Sequence, residues 1–129
     1  MRLLLDTHTF IWFFRGDFRL SKTARSLIEN MDNEVLLSTA SAWEMAIKQG
    51  IGKLDFGLPF KEILVEKLHE HRVEILDITL NHIEIVDSLP LHHRDPFDRL
   101  IIAQGIVENI PIISADAMFD AYPIQRIWS

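Results

Sequence analysis

The sequence contains no cysteine among its 129 residues. A disulfide framework and a thiolate metal site are therefore excluded, and a reducing cytoplasm is the simplest compartment for such a protein. Any metal ion must be held by oxygen or imidazole ligands. Glycine and proline are also scarce, at five residues each, and we find no repeat, low-complexity tract or linker. With 48% hydrophobic residues, these features predict one domain spanning residues 1–129.

Long apolar runs and an excess of positive charge are missing as well. The apolar stretch over residues 1–14 is interrupted by Arg2, Asp6 and His8, well short of the roughly 20 residues that a membrane-spanning helix needs. It also lacks the residue order of a signal peptide, so we expect no membrane association. The formal net charge of −6 opposes nucleic-acid binding by bulk electrostatics. A nucleic-acid substrate would therefore need a local basic rim or a metal ion.

Apolar stretches of strand length alternate with stretches of helical periodicity along the sequence. The pattern predicts strands at residues 2–5, 35–38, 73–76, 110–114 and 124–127, and helices at residues 7–14, 22–31, 41–49, 59–71, 80–89 and 95–108. In the second helix, Ala24, Leu27, Ile28 and Met31 share one face. Strands separated by helices form crossover units, which build a parallel sheet with helices on both faces. The predicted fold class is therefore α/β, a three-layer α/β/α arrangement around a parallel sheet of five strands.

Four carboxylates lie where a predicted strand or turn gives way to a helix. Asp6 directly follows strand one, and Glu44 follows strand two by one helical turn. Asp98 lies in the first turn of the last helix, and Asp116 comes two residues after strand four. Ligands of parallel sheets bind beyond the carboxyl ends of the strands, so all four acids can face one crevice, where their repulsion would require a divalent cation. The pattern predicts a metal-dependent hydrolase of nucleic-acid phosphates, with RNA as the favoured substrate.

Each of these acids also has an ordinary structural explanation. Asp98 belongs to a good helix start, and Glu44 matches a capping box that begins at Ser41. Asp6 could cap the helix after strand one, and Asp116 could stabilise a turn. Capping does not explain why all four acids fall at the same end of the predicted sheet.

The short motifs around these acids resemble the successive motifs of PIN-domain proteins, and most closely those of the VapC-like toxin branch. The motifs are Leu3 to His8, Ser41 to Glu44 with Lys48, His93 to Arg99, and Ser114 to Asp116 with Phe119. The resemblance covers nearly the whole chain. It implies a sheet order of 3-2-1-4-5, ribonuclease activity, frequent homodimers and inhibition by a cognate antitoxin. It also implies that Mg²⁺ or Mn²⁺ is bound by a catalytic quartet of Asp6, Glu44, Asp98 and Asp116.

Several other residues near these motifs have more than one explanation. Six polar residues could support the ligands or contact RNA, namely Thr7, Lys48, His93, Arg94, Arg99 and Ser114. Hydroxyl side chains are equally suited to turns and caps, and cationic ones to a solvated surface. The helix segment from Phe10 to Phe14 is apolar on every side, which predicts core burial and a surplus available to a second subunit or an antitoxin. Trp43 is expected in the core.

Three other functional classes compete with the nuclease. A PIN-like module that binds nucleic acid or protein without catalysis would keep the same acids, because intact ligands do not prove turnover. A receiver-like domain would need a lysine after the last strand, and residues 124–129 contain none. A phosphatase of the haloacid dehalogenase type would need an aspartate two residues after Asp6, where His8 stands. No Gly-rich phosphate loop is present, so we expect no nucleotide cofactor.

Overall fold

Five parallel strands form the central sheet of the protein, in the order β3-β2-β1-β4-β5. This computed structural model describes residues 1–129. The strands are β1 (Arg2–Leu5), β2 (Glu34–Ser38), β3 (Val73–Leu76), β4 (Ile112–Ile113) and β5 (Arg126–Ile127). Strand β1 pairs with β2 on one side and with β4 on the other. The predicted parallel sheet and its 3-2-1-4-5 order are confirmed.

Six helices surround the sheet. They are α1 (Thr7–Arg15), α2 (Lys22–Glu29), α3 (Thr39–Gly50), α4 (residues 60–70), α5 (Leu80–Ser88) and α6 (Pro96–Glu108), and a short 3₁₀ helix follows at Ala117–Ala121. Within α4, a π-helical turn at Ile63–Lys67 separates the α-helical turns Phe60–Glu62 and Leu68–Glu70. None of these helices combines the length and the apolar character needed to cross a bilayer.

The apolar core has two parts, one on each face of the sheet. Leu3 and Leu5 of β1 belong to the part that contains buried residues of α1, α2 and α4, whereas Leu4 belongs to the part that contains buried residues of α6. All three side chains are fully buried. Successive residues of a strand point to opposite faces, so a strand covered on both sides reads as an unbroken apolar run. This explains why β1 was recognisable in the sequence and confirms the three-layer arrangement.

Two predicted helix boundaries are wrong. Helix α3 begins at Thr39, not Ser41, because the hydroxyl of Ser38 accepts a hydrogen bond from Ala40 N at 3.0 Å and caps the helix. Ser41 therefore lies inside the helix, and the capping box expected for Glu44 does not form. Helix α2 ends at Glu29, so Met31 lies beyond it and is 71% exposed instead of facing inward. The last two strands are also shorter than predicted.

The strand ends and the packing of α6 position the candidate site. Helix α1 begins directly after β1, and α3 directly after β2, so the starts of both helices lie at the carboxyl edge of the sheet. Helix α6 lies very close to β4, since a Cβ atom added at Gly105 would come within 2.7 Å of Ile112 Cδ1. Glycine at this position allows the helix to approach the sheet, and a side chain there would require neighbouring atoms to move.

Candidate active site

Asp6 lies at the carboxyl end of β1 and caps α1. Its Oδ1 accepts a hydrogen bond from Thr9 N at 2.9 Å, and its Oδ2 accepts one from Ser114 Oγ at 2.6 Å. The residue is 4% exposed, and this burial raises the pKa of the Asp6 carboxyl despite the opposing effect of the hydrogen bonds from Ser114 and Thr9. Asp6 is therefore both a helix cap and a buried acid. Each carboxylate oxygen keeps a lone pair for a further ligand.

Glu44 lies on the buried face of α3 and is held by the side chains of Thr7 and Lys48. Its Oε1 accepts a hydrogen bond from Thr7 Oγ1 at 2.7 Å, and its Oε2 forms an ion pair with Lys48 Nζ at 2.8 Å. Thr7 Oγ1 also lies 2.9 Å from Ser41 Oγ. Lys48, a predicted RNA contact, is thus directed at Glu44. Glu44 is the one acid of the predicted quartet that is paired with a lysine, so it is the member least prepared for direct metal binding.

Asp98 and Asp116 meet around the imidazole of His93. The Nε2 atom of His93 lies 3.2 Å from Asp98 Oδ2 and 2.8 Å from Asp116 Oδ2, and one ligand atom from each residue falls within 4.8 Å of the others. Asp98 is in the first turn of α6, whose cap is Asp95. Asp116 caps the 3₁₀ helix through its Oδ1, which accepts from Met118 N. Three residues from separate segments therefore present oxygen and nitrogen ligands to one point.

The electrostatics of Asp98 connect this cluster to the other acids. Burial raises the pKa of the Asp98 carboxyl to about 8, with further contributions from the negative charges of Asp95, Asp6, Glu44 and Asp116. Asp6 and Asp116 line one cleft, Asp98 meets Asp116 at His93, and Glu44 is hydrogen-bonded to Thr7, the residue after Asp6, so the fold gathers all four predicted acids at one edge of the sheet. The carboxylates of this group fit the oxygen ligands that Mg²⁺ and Mn²⁺ prefer, and a bound cation would offset the repulsion.

A cleft opens beside these acids and has walls of different chemistry. Asp6 and Asp116 line one part of it with Ala115, and His8 and Trp12 of α1 line another. The sequence did not predict the aromatic wall, since periodicity around an apolar helix cannot tell which ring faces a site. The position of His93 between two acids was also not predicted, although the residue was among those expected to support the ligands or contact RNA. Its place in a loop leaves no periodic signal.

Arg99 has a structural role that differs from the predicted RNA contact. Its guanidinium donates to four backbone carbonyls, those of Val86, Leu89, Pro90 and His93, at 3.1 to 3.2 Å. The side chain thereby ties the end of α5 to the loop that carries His93. Arg94, by contrast, is exposed and forms no ion pair within 4.0 Å, so it remains the arginine available to a substrate.

Arg99→Ala is expected to lower the free energy of unfolding by about 2–3 kcal/mol, because four carbonyls lose a charged donor. Arg99→Lys should recover only part of this loss, since an ammonium cannot reproduce the planar fork of the guanidinium. Urea unfolding followed by circular dichroism measures the effect, with Arg94→Ala as the matched control at less than about 0.5 kcal/mol. Equal stabilities of the Arg99→Ala and Arg94→Ala variants would contradict this role.

Two apolar predictions have different outcomes. Trp43 is 57% exposed and contacts Phe97 edge-on with ring centroids 4.9 Å apart, so its expected core position is wrong. Its neighbours Glu44 and Met45 occupy the buried face of α3, which leaves Trp43 pointing outward.

In α1, Phe13 packs against His71 and Phe14 packs against Phe56, with ring centroids 5.4 Å apart in each pair. The chain itself thus covers part of the predicted apolar surplus, and an interface there remains a prediction.

Comparison with known proteins identifies a family and a set of similar folds. A family model described as the PIN domain matches residues 3–125. VapBC2 from Rickettsia felis, bound to a DNA fragment from its promoter, has a TM-score of 0.73 at 18% identity, with 100% of both chains covered. DNA-bound VapBC from Salmonella typhimurium has a TM-score of 0.72 at 17% identity, with 98% of this chain and 97% of that chain covered.

A third similar structure has a stated activity. VapC20 from Mycobacterium tuberculosis, described as a sarcin-ricin loop cleaving toxin, has a TM-score of 0.71 at 14% identity, with 98% of this chain and 99% of that chain covered. A search of curated protein sequences found no significant match. At these identities the structural matches establish the fold, and the residues of the site have to be argued from their own geometry.

Proposed function

This chain belongs to the PIN-domain family, and from that membership and the site geometry we propose that it is a metal-dependent endoribonuclease and the toxin of a toxin–antitoxin pair. The observation that carries the proposal is the meeting of Asp98 and Asp116 at the imidazole of His93, with one ligand atom of each residue within 4.8 Å of the others, beside the cleft that Asp6 and Asp116 line. A group of acids that repel one another in the free protein is suited to a divalent cation.

The proposed metal ligands are Asp6, Asp98 and Asp116, with Glu44 as a fourth acid that binds metal or orients water. A bound Mg²⁺ or Mn²⁺ would polarise the scissile phosphate and lower the pKa of an attacking water. Ser114 would orient the Asp6 carboxylate through its 2.6 Å hydrogen bond. Thr7 would do the same for Glu44 at 2.7 Å. The imidazole of His93, between Asp98 and Asp116, would act as a further ligand or hold both carboxylates in position.

The similar structures support a partner protein and a nuclease. Those from Rickettsia felis and Salmonella typhimurium are VapBC assemblies bound to DNA, and VapC20 cleaves the sarcin-ricin loop. We accordingly propose a cognate antitoxin, a homodimer and a cytoplasmic location for this protein. An acidic crevice in a chain of net charge −6 suits an arginine or lysine inserted by such a partner.

Cleavage of a single-stranded RNA by the purified protein is expected to require added Mg²⁺ or Mn²⁺ and to stop when EDTA is added. The reason is that the proposed ligands are acids, which cannot by themselves stabilise the negative charge that develops on the phosphate during hydrolysis. Gel analysis of a labelled oligonucleotide measures the activity, and Asp6→Asn purified in the same way controls for contaminating ribonucleases. Cleavage that persists in EDTA would contradict the proposal, and metal binding without any cleavage would favour the non-catalytic module.

A further inference from the structure

The cleft beside the acids has an aromatic wall whose use the proposed hydrolysis does not explain. His8 and Trp12 are four residues apart on α1, which places them one turn apart on the same face of the helix. Both line the cleft that Asp6 and Asp116 line, and their ring centroids are 5.9 Å apart. A single cavity therefore joins negatively charged oxygens to an indole ring.

Trp12 is held firmly by its neighbours. The guanidinium of Arg19 lies 5.1 Å from the centroid of the Trp12 ring, and the ring of Trp128 is 5.8 Å away at an interplanar angle of 59°. Arg19 is itself fixed by two hydrogen bonds to the carboxylate of Asp17, at 2.7 and 3.1 Å. The indole is half-buried and is one of the groups that line the cleft. Such a ring needs little reordering before it binds a planar ligand.

The two chemistries of the cleft match the two ends of a nucleotide. A phosphate group, held through a divalent cation, suits the acidic wall, and a nucleobase suits the aromatic wall because every base presents a π-face. A cationic side chain from a protein partner would match the acids, but beside the indole it would meet the like charge of Arg19, whose guanidinium already lies 5.1 Å from the centroid of that ring. An apolar side chain would match the indole and leave the acids uncompensated. The nucleotide is the ligand that uses both walls at once.

We propose that Trp12 stacks on an unpaired nucleobase next to the phosphate that the acids hold. This inference rests on the proposed ribonuclease activity and adds a binding residue to it. A base in a duplex is stacked between its neighbours and cannot reach the ring. The protein should therefore discriminate against duplex RNA of the same sequence.

Trp12→Ala is expected to lower kcat/KM for a single-stranded RNA oligonucleotide by roughly tenfold or more, the range found for removal of a base-stacking ring. Trp12→Phe should retain most of the activity, because it keeps an aromatic face. Phe18→Ala is the matched control, since this ring is 94% exposed and does not line the cleft. Thermal unfolding of each variant establishes that the fold is kept.

A second substrate separates stacking from a general loss of activity. Oligonucleotides that carry one abasic nucleotide on either side of the cleavage site should be poor substrates for the wild type. With the same oligonucleotides, Trp12→Ala should cause little further loss, because ring and base act as a pair. Equal and independent losses would overturn the stacking role.

Three other outcomes also overturn the inference. If the wild type cleaves RNA and Trp12→Ala cleaves it equally well, the aromatic wall does not bind the substrate, and a protein partner becomes its candidate ligand. If folded Trp12→Phe is as impaired as Trp12→Ala, the aromatic face is not what the substrate uses. If the wild type cleaves no RNA with Mg²⁺ or Mn²⁺, the proposed function fails and this inference fails with it.

Discussion

Asparagine in place of Asp98 is expected to lower metal-dependent RNA cleavage by roughly a hundredfold or more. Loss of a residue that only supports a metal ligand commonly costs ten- to a hundredfold, and Asp98 is proposed as a ligand itself. Its Oδ2 lies 3.2 Å from His93 Nε2 in the cluster with Asp116, so the amide would remove a negative charge from the centre of the site. Initial rates on a labelled oligonucleotide at saturating Mg²⁺ measure the change.

The same substitution should reduce the stabilisation of the fold by added metal. Added Mg²⁺ or Mn²⁺ is expected to raise the melting temperature of the wild type, because a cation that binds only the folded state stabilises it, and Asp98→Asn should reduce this increase. Asp87→Asn is the matched control, since Asp87 is exposed on α5 and forms no ion pair within 4.0 Å. An Asp98→Asn protein that cleaves RNA at the wild-type rate would contradict the assignment of this acid.

Without metal, the stability of the wild-type protein is expected to fall as the pH rises from about 4 to about 8. The pKa of the Asp98 carboxyl is raised by burial and by nearby acids to about 8, whereas an unfolded aspartate titrates near 4. Between these values the folded state binds the extra proton, so raising the pH favours unfolding. The loss is at most about 1.4 kcal/mol for each pH unit. Burial also raises the pKa of Asp6, which acts in the same direction.

Urea unfolding in EDTA at a series of pH values tests this expectation. Asp98→Asn should flatten the dependence and be more stable than the wild type near pH 8, because the amide carries no charge to bury. The variant also loses a favourable negative charge in the first turn of α6, which is a smaller effect of about 0.3–1 kcal/mol. If the metal-free wild type gains stability toward pH 8, the account of the acids is wrong.

The fold was largely predictable because burial on both faces makes strands conspicuous. Leu3, Leu4 and Leu5 form an apolar run ending at Asp6, and the structure places all three in the core. The gathering of acids could be expected from the topology alone, since parallel strands bring their carboxyl ends to one edge. Glu44 illustrates the limit of local pattern. Its spacing from Ser41 satisfied a capping box, but Ser38 provided an earlier cap and left Glu44 to contact Thr7 and Lys48.

The remaining features depend on contacts between distant segments. Arg99 was expected to support the ligands, contact RNA or face solvent, yet the chain after α5 folds around its guanidinium, which donates hydrogen bonds to the carbonyls of Leu89 and His93. His93 approaches Asp116 across 23 residues of sequence, and no periodicity encodes that distance. Trp12 was one aromatic residue among several in α1, and only the folded structure shows that it packs against Arg19 and Trp128 and lines the cleft.

The most direct test of the account is the position of a bound cation. A crystal of the protein soaked in Mn²⁺ and measured for anomalous scattering would locate the ion and name its ligands together. We expect one or two anomalous peaks coordinated by carboxylate oxygens of Asp6, Asp98 and Asp116, at the carboxyl edge of the sheet. Full occupancy of a Mn²⁺ site elsewhere, with no peak within coordination distance of these acids, would contradict it.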